Sequence, residues 1–478
     1  MTDSRLSAST KPAGRTRKAS ETPVHGRFRP RDLLVALLLV TVLGGICWLD
    51  RLGAVAPPPR HDSASPAKHQ THQALSAAPT IEPEGTPESK PMEDPSPPQG
   101  SPAQTSPPPV DPVYRVALQF SPDGRFGLQT TSGNPDDLDD DFKLLTSSPD
   151  GATNNVRIWV DGETPLYGSA EGHFVLPNRE TAAGRYESTW EYRGIAVTQI
   201  VEVVPGEMSQ RMDCVRVTYR LKNSGSRQRS VGLRVMLHTP LRGNDDVPFV
   251  VPGSPNVVTS PVSYMSDKVP DFVCALERTD LVNPGVVLDI GLQPSAGDRP
   301  SEVILTSWPG SLAEWDYDRS PPLGNDPAVG IYYEARTLAP GETRSMDFTY
   351  GLGTLSSMTT RNSRLSLTAS GPFRAGGKFR LVALVQDPKA GQEVRLILPK
   401  GLSLSVGEEP SKPVSVGASY TQVSWWVQVA PKTLGARELT ARLESDGIAE
   451  QQVIHVTSAA DGKSEGRQVE LKRGTLTP

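Results

Sequence analysis

The chain has 478 residues, a formal net charge of −5 and 22% charged residues. This balance excludes an overall basic surface of the kind that binds nucleic acid. Three cysteines are too few for a scaffold that depends on disulfide bonds, so hydrophobic cores must stabilise whatever folds.

An uncharged apolar run, Leu33–Leu49, lies near the N-terminus. At about 1.5 Å per residue its length is roughly 25 Å, close to the lower limit for crossing a bilayer core. Eight Lys and Arg residues precede the run, whereas only Arg51 and Arg60 follow it closely. The positive-inside rule therefore predicts a single-pass signal anchor in a bacterial cytoplasmic membrane. Residues 1–32 are then a basic, disordered cytoplasmic tail, and everything after the anchor is exported.

Two other kinds of leader fit the run less well. Ala54-Val55-Ala56 is similar to a signal-peptide cleavage site, but Pro57 follows it directly and the polar leader is long. A lipoprotein leader needs a small residue before the acylated cysteine, and here Ile46 precedes Cys47. We therefore favour an uncleaved anchor, with Cys47 as an apolar residue of the span.

Residues 50–112 are predicted to be a disordered linker. Sixteen prolines occur from Pro57 to Pro112, among Ala, Ser, Thr, Glu and Gln, with almost no large apolar residue. Such a composition cannot bury a core. Its reach is on the order of 45 to 170 Å, from random coil to extended polyproline, enough to hold a folded part away from the membrane.

Beyond residue 113 apolar side chains alternate with polar ones, as in strands with one buried face. Their number over residues 113–355 predicts an all-β domain built as a large two-sheet sandwich. The predicted strands are Tyr114–Phe120, Asn155–Val160, Tyr186–Val204, Cys214–Leu221, Val231–Thr239, Phe272–Glu277, Val286–Leu292, Glu302–Ser307, Ile331–Arg336 and Arg344–Gly351.

Two consecutive strands, Cys214–Leu221 and Val231–Thr239, have the clearest alternation. The residues between them include Asn223-Ser224-Gly225-Ser226, which has the chemistry of a turn. The sequence therefore predicts that the two strands form an antiparallel hairpin.

Three segments carry a resemblance to a known family: Lys143–Thr146, Val156–Gly162 and Gly243–Phe249. Together with the strand rhythm, they resemble exported bacterial β-domains of the galactose-mutarotase type. The resemblance implies a supersandwich fold, which is often associated with carbohydrate binding or processing. The family's catalytic His and Glu pattern has no match in this chain, so the resemblance implies a fold and not an activity.

Residues 364–456 are predicted to form a second, immunoglobulin-like sandwich, and residues 457–478 a disordered tail. Turn residues separate seven short strands, as expected for such a sandwich. These strands are Leu365–Ala369, Phe379–Val385, Glu393–Leu398, Val414–Gly417, Tyr420–Ala430, Glu438–Glu444 and Gln452–Val456.

Three side chains need a separate interpretation. Trp426 lies in the polar phase of its strand, so it is predicted to face away from the core. We favour a contact at the rim of the sandwich; the alternative is a surface for the first domain or for a ligand. Cys214 and Cys274 fall in opposite phases of their strands, which favours two free thiols over a disulfide bond.

The sequence contains no Gly-x-Ser-x-Gly elbow, HExxH helix, Cys-x-x-Cys pair or P-loop. A segment near Trp315 instead combines aromatic side chains with carboxylates, the groups that bind sugar faces and hydroxyls. Core packing of these aromatic residues is the alternative, and catalysis would need a carboxylate separation that a sequence does not specify. The candidate ligand-binding residues are Trp308, Trp315, Asp316, Tyr317 and Asp318, with Asn244 and Asp245 from an earlier loop.

An acidic cluster follows Ser132-Gly133-Asn134-Pro135 and consists of Asp136, Asp137, Asp139, Asp140 and Asp141. Oxygen-rich loops can hold calcium, but the spacing and distal Glu of an EF-hand are missing. We favour a solvated acidic loop and no cofactor, with calcium as the alternative.

These features predict a membrane-anchored exported binding protein, without enzymatic activity, that contacts a cell-envelope polysaccharide or another envelope protein. A glycan-processing enzyme of the supersandwich type and a purely structural envelope tether are the alternatives. Two carboxylates about 5 to 10 Å apart in a cleft near Trp315 would favour the enzyme.

Overall fold

The computed structural model describes residues 113–133, 138–241, 248–293, 297–323, 326–416 and 419–458. The predicted tail, anchor and linker of residues 1–112 lie outside this part of the chain, as does nearly all of the predicted C-terminal tail. No helix within the described ranges is long and apolar enough to cross a membrane. The described part is almost entirely β, as predicted.

The strands follow one another with little helix between them. A short helix α1 (Ser356–Thr360) separates the strands of two sandwiches. The strands are β1 (Val116–Phe120), β2 (Phe126–Thr130), β3 (Asn155–Val160), β4 (His173–Ala182), β5 (Arg185–Tyr192), β6 (Ile195–Val204), β7 (Cys214–Asn223), β8 (Arg229–His238), β9 (Phe249–Val250), β10 (Val262–Met265), β11 (Phe272–Leu276), β12 (Val287–Gly291), β13 (Glu302–Ser307), β14 (Pro327–Leu338), β15 (Thr343–Leu352), β16 (Leu365–Ser370), β17 (Lys378–Gln386), β18 (Glu393–Ile397), β19 (Leu402–Leu404), β20 (Ser411–Pro413), β21 (Tyr420–Val429), β22 (Gly435–Leu443) and β23 (Ile448–Val456).

The larger sandwich stacks a five-stranded sheet on an eight-stranded sheet. Their strand orders are β10-β13-β14-β8-β3 and β4-β5-β6-β7-β15-β12-β11-β9. The apolar side chains of the predicted alternation point inward and fill the space between the two sheets. From β7 and β8 the core receives Val215, Val217, Tyr219, Leu221, Val231, Leu233, Val235 and Leu237, all fully buried.

The predicted hairpin of β7 and β8 is wrong. β7 pairs with β6 and β15 in the larger sheet, whereas β8 pairs with β14 and β3 in the smaller one. The Asn223 amide holds the connection by donating to the carbonyl oxygens of Arg227 at 2.8 Å and Leu338 at 2.9 Å. Strands that face each other across a core bury the same phase as paired strands, so alternation alone does not distinguish the two arrangements.

Other strand predictions differ in detail. The predicted strand Tyr186–Val204 is two strands, because Arg193 and Gly194 take positive φ angles of 48° and 80° and form a tight turn. The predicted strand Val414–Gly417 is wrong: β20 ends at Pro413, and Val414 is buried beyond the ladder. The alternation pattern did not predict the short or irregular strands β2, β4, β9, β10 and β19.

The smaller sandwich stacks two four-stranded sheets, β16-β17-β21-β19 and β20-β18-β22-β23. Trp425 and Phe379 are buried in its core, while Trp426 faces the other way, as the phase of β21 predicts. The Trp426 side chain is half-buried, with Lys378 Nζ 4.5 Å and Arg380 Cζ 4.2 Å from its ring centroid. Trp426 also lines a cavity of about 340 Å³ together with Tyr264 of the larger sandwich.

The two sandwiches share an apolar interface. Phe272, Leu276 and Val287 on the outer face of the eight-stranded sheet pack with Val382 and Leu384 of β17. Hydrogen bonds add to this packing: the Gln422 amide donates to the Val251 carbonyl oxygen at 2.6 Å. The interface therefore joins the sandwiches within one compact unit.

Cys214 and Cys274 are buried free thiols at this interface. The Cys274 thiol donates to Asp289 Oδ1 at 3.3 Å. Two strands, β15 and β12, lie between β7 and β11. Three inter-strand spacings of about 4.8 Å separate the cysteines by roughly 14 Å, far beyond disulfide distance.

Candidate functional site

The outer face of the five-stranded sheet carries an unusual row of large side chains. The register places Met265 opposite Glu302, Glu302 opposite Tyr332, Tyr332 opposite Arg234, and Arg234 opposite Arg157. The row thus crosses all five strands, from β10 to β3. Because neighbours in a row are about 5 Å apart, these groups act on one another directly.

Two buried arginines hold the segment 308–323 against this face. Arg234 is fully buried and donates to the carbonyl oxygens of Ala313, at 2.9 Å, and of Glu314. Arg157 donates to the carbonyl oxygens of Ala313 at 3.1 Å and Leu312 at 2.7 Å. The segment has no regular structure to satisfy these carbonyls, so the arginines fix its path and the position of the residues that follow.

Trp315 comes next in the chain and completes a series of three aromatic side chains. Its ring centroid lies 5.5 Å from Trp159 of β3 and 5.5 Å from Tyr332 of β14, both in edge-to-face geometry. The Tyr332 hydroxyl donates to the Trp315 carbonyl oxygen at 3.3 Å. Trp159 and Trp315 are half-buried and Tyr332 is buried, and none of the three packs into the hydrophobic core clusters of the described residues.

These rings line a cleft of about 500 Å³. Glu302 and Glu334 contribute its carboxylates, and Ser266 and Ser301 contribute hydroxyl groups. The full set of lining residues is Trp159, Met265, Ser266, Ser301, Glu302, Trp315, Tyr332, Glu334 and Ala335. Both the volume and the mixture of aromatic and polar groups are typical of ligand sites.

Arg319 stabilises the inner carboxylate of the cleft. Its guanidinium donates to Glu302 Oε1 at 3.1 Å and lies 5.4 Å from the Tyr332 ring centroid. Burial opposes the charge of Arg319, but Tyr332 and Glu302 outweigh that effect and raise its pKa. Burial lowers the pKa of Arg234, an effect that Tyr332 partly offsets. Glu302 therefore has a fixed positive partner.

The candidate residues from the Trp308–Arg319 segment do not all line the cleft. Trp315 lines the cleft. Tyr317 is half-buried between the guanidinium groups of Arg234 and Arg319, and burial raises its pKa far above the usual range. Asp316 is exposed beside Trp315.

Trp308 and Asp318 lie away from the cleft. Trp308 stacks on the buried His238 at 4.4 Å, and its indole donates to the Thr153 carbonyl oxygen at 3.1 Å. Asp318 is exposed and accepts hydrogen bonds from the Ser320 hydroxyl and backbone, which lower its pKa. These two residues have structural contacts there. Ligand binding by the predicted set stays a prediction.

The other predicted sites fall partly outside the described residues. Asn244 and Asp245 lie there, as do Asp136 and Asp137 of the acidic cluster. Asp139 pairs with Arg278 at 2.9 Å, Asp140 is buried and Asp141 is half-buried. The described ranges contain no group of three or more His, Cys, Asp or Glu side chains arranged to hold a metal ion.

Sequence reasoning missed Trp159, Glu302, Tyr332 and Glu334, although each lies in a predicted strand. Tyr332 and Glu334 share the phase opposite to the buried Ile331 and Tyr333. A large aromatic residue in the polar phase of a sandwich strand was the available signal. This signal does not indicate which strands are neighbours in the sheet. The order of the strands is what brings these side chains to the same cleft as Trp315.

A second group of ionisable side chains lies between the sandwiches. Glu207, Arg216 and Asp289 line a cavity of about 20 Å³, room for about one water molecule. Burial raises the pKa of Asp289 and of the adjacent Asp213 to about 6, and that of Glu207 to about 7. The Ser370 hydroxyl of β16 donates to Asp289 Oδ2 at 2.6 Å, across the interface.

No protein-family model matches the chain, and no curated protein does. Three solved structures show weak structural similarity. A galactose mutarotase-like protein from Lactobacillus casei ATCC 334 has a TM-score of 0.31 and 9% identity, covering 50% of this chain and 97% of that one. A “putative aldose 1-epimerase” from Escherichia coli K12 has a TM-score of 0.23 and 11% identity, covering 50% and 99%. A “putative kojibiose phosphorylase” from human microbiome has a TM-score of 0.24 and 11% identity, covering 50% and 25%. Similarity at this level assigns neither a family nor an activity to the chain.

Proposed function

We propose that this chain is a membrane-anchored exported protein that binds a cell-envelope polysaccharide in the aromatic cleft. Leu33–Leu49 would anchor it in the bacterial cytoplasmic membrane, and residues 50–112 would extend the folded part outward. In this proposal the larger sandwich is a supersandwich and the smaller one is immunoglobulin-like.

One observation carries the proposal: Trp159, Trp315 and Tyr332 line a single cleft on an outer sheet face. Trp159 and Trp315 are not fully buried, so their rings are not explained by core packing. A sugar ring has an apolar face that packs on such surfaces, and its hydroxyls find acceptors in Glu302 and Glu334. A structural tether has no need for this arrangement.

The test is retention of the full-length chain, in mild detergent, on insoluble cell-wall polysaccharide. Trp315→Ala should weaken retention by about 30-fold, since losing a central aromatic contact costs about 2 kcal/mol. Trp426→Ala is the matched control, because that half-buried Trp lies in the smaller sandwich. Wild-type chain that is not retained, with or without added calcium, would overturn the proposal.

A second candidate function is glycan processing, favoured by the two carboxylates of the cleft. Glu302 lies opposite Tyr332 in the register, and Glu334 is two residues further along β14. In a regular ladder this diagonal relation places two residues roughly 7 to 8 Å apart. Inverting glycosidases hold their two carboxyl groups about 6.5 to 9.5 Å apart, a separation that side chains so placed can reach. Release of reducing sugar from a bound polysaccharide, abolished in both Glu302→Gln and Glu334→Gln, would establish the enzyme. Binding without release would support the binding protein.

A further inference from the structure

We infer that the aromatic cleft selects a positively charged sugar, namely a hexosamine with a free amino group. The inference rests on the proposed function, since it names the class of glycan that the same cleft would bind. Three features of the described residues carry it: the charge of the cleft, the π faces that surround it and the backbone that holds Glu334.

The lining of the cleft is acidic. Among the described residues, it contains Glu302 and Glu334 but no Lys or Arg side chain. Arg319 neutralises Glu302 in an ion pair of 3.1 Å. Glu334 is exposed, and its carboxylate has no ion pair with any described side chain. The nearby Arg336 and Arg344 both pair with Asp298 instead. Glu334 is therefore the carboxylate of the lining that has no ion pair among the described side chains.

The aromatic walls favour the same sign of charge. The electron-rich faces of Trp and Tyr attract cations, and Trp does so most strongly. Trp315 contacts Trp159 and Tyr332 edge to face, so the three rings are inclined to one another and do not form a flat stack. An ammonium group that reaches Glu334 would also lie beside these rings. A carboxylated or phosphorylated sugar would meet repulsion from the Glu334 carboxylate.

The position of Glu334 is built into the sheet. Successive residues of a regular strand point to opposite faces, yet Glu334 and Ala335 both line the cleft. The register of β14 with β8 shifts between Tyr333 and Arg336, which is a bulge that turns both side chains the same way. The opposite residue is Gly232, where a Cβ would come within 3.0 Å of the Ala335 nitrogen.

The backbone of Glu334 is held on both sides. Its amide donates to Ser301 Oγ at 2.9 Å, and its carbonyl oxygen accepts from Arg344 at 2.6 Å. Ser301 in turn donates to the Tyr332 carbonyl oxygen at 3.1 Å. The backbone that carries this carboxylate is thus held in place within β14, which lowers the entropy lost when a ligand binds. The neighbouring Asp267 and Lys268 line a different cavity and carry opposite charges.

The inference is tested by titrating the full-length chain in mild detergent, at pH 6 and low salt, with three tetrasaccharides. These are β-1,4-linked glucosamine, its N-acetylated form and cellotetraose. We expect glucosamine tetrasaccharide to bind at least about tenfold more tightly than either neutral sugar, from one charge-assisted hydrogen bond and cation–π attraction. Glu334→Gln should reduce this preference to less than about threefold, because it weakens binding of the amino sugar much more than binding of cellotetraose. Glu409→Gln, an exposed carboxylate of the smaller sandwich, is the matched control.

The outcomes separate this inference from the proposed function. Equal binding of the three sugars, or tighter binding of the acetylated one, overturns the inference and leaves polysaccharide binding in place. Absence of binding by all three, together with no retention on polysaccharide, overturns the proposed function. Two further outcomes would also overturn the inference: a preference for the amino sugar that persists in Glu334→Gln, and binding of tetralysine as tight as that of the amino sugar. Either one would assign the preference to the overall negative charge of the chain and not to the cleft.

Discussion

Replacing Asp289 by asparagine is expected to stabilise the folded chain at neutral pH. Asp289 is half-buried, and its accessible surface faces the small cavity between the sandwiches. Burial raises its pKa from the ordinary value of 3.8 to about 6, because the charged form loses its hydration there. Hydrogen bonds from Ser370 and Cys274 offset part of this effect and the nearby Asp213 adds to it.

The direction of the pH dependence follows from proton binding. Between pH 3.8 and about 6 the folded chain holds a proton on Asp289 that the unfolded chain has lost, so stability falls as the pH rises through this window. Below the window both states are protonated and the group has no effect. Above it the full cost is present, about 3 kcal/mol at about 1.4 kcal/mol per pH unit. Asparagine resembles the protonated acid and still accepts the hydrogen bond from Ser370.

The assay is urea unfolding of the full-length chain, followed by Trp fluorescence, at pH 4 and pH 7.5. The difference between Asp289→Asn and wild type should be close to zero at pH 4 and reach about 2 to 3 kcal/mol in favour of the variant at pH 7.5. The exposed Asp267→Asn serves as control and should show no difference at either pH. A variant that is less stable at pH 7.5, or equally shifted at both pH values, would refute the reasoning.

Three further substitutions or labelling experiments test other parts of the structure. Arg234→Met should reduce polysaccharide retention and destabilise the chain by about 1 to 3 kcal/mol, measured by urea unfolding, because it removes the hydrogen bonds to the segment 308–323 and leaves the buried Asn155 Oδ1 without this donor. Gly351→Ala should cost about 1 to 3 kcal/mol in the same measurement, since the new Cβ would lie 2.4 Å from the Cys214 Cα. Peptides that contain Cys214 and Cys274 should resist alkylation in the native chain and react fully in urea, as mass spectrometry would detect. Fast labelling of both thiols without denaturant would contradict the described interface.

The strands could be predicted from the sequence because alternation is a local property. β3 and β13 have the predicted bounds, Asn155–Val160 and Glu302–Ser307. Pairing could not be predicted in the same way, as the wrong hairpin of β7 and β8 shows. An alternation with a period of two residues indicates which face of a strand is buried. It does not indicate which strands pair with that strand or cover its buried face, because these come from elsewhere in the chain.

The cleft was predictable to the same limited extent. Trp315 was found because aromatic and acidic residues cluster around it in the sequence. Trp159 and Glu302 are separated from it by 156 and 13 positions and meet it through sheet order. Glu334 was missed for a further reason: its orientation depends on a bulge, which has no strong sequence signal apart from the opposing Gly232.

The two arginines beneath the cleft connect the stability of the larger sandwich with the proposed binding. A buried guanidinium loses hydration, and its hydrogen bonds must offset that cost. Arg234 has a buried Nε without a hydrogen-bond partner among the described residues, so its site is not optimised for stability. What Arg234 provides is geometry, because its two amino groups hold the carbonyl oxygens of Ala313 and Glu314 and thereby place Trp315. An apolar replacement would fill the space without fixing the segment. This explains why binding should be lost in Arg234→Met even under conditions where the sandwich remains folded.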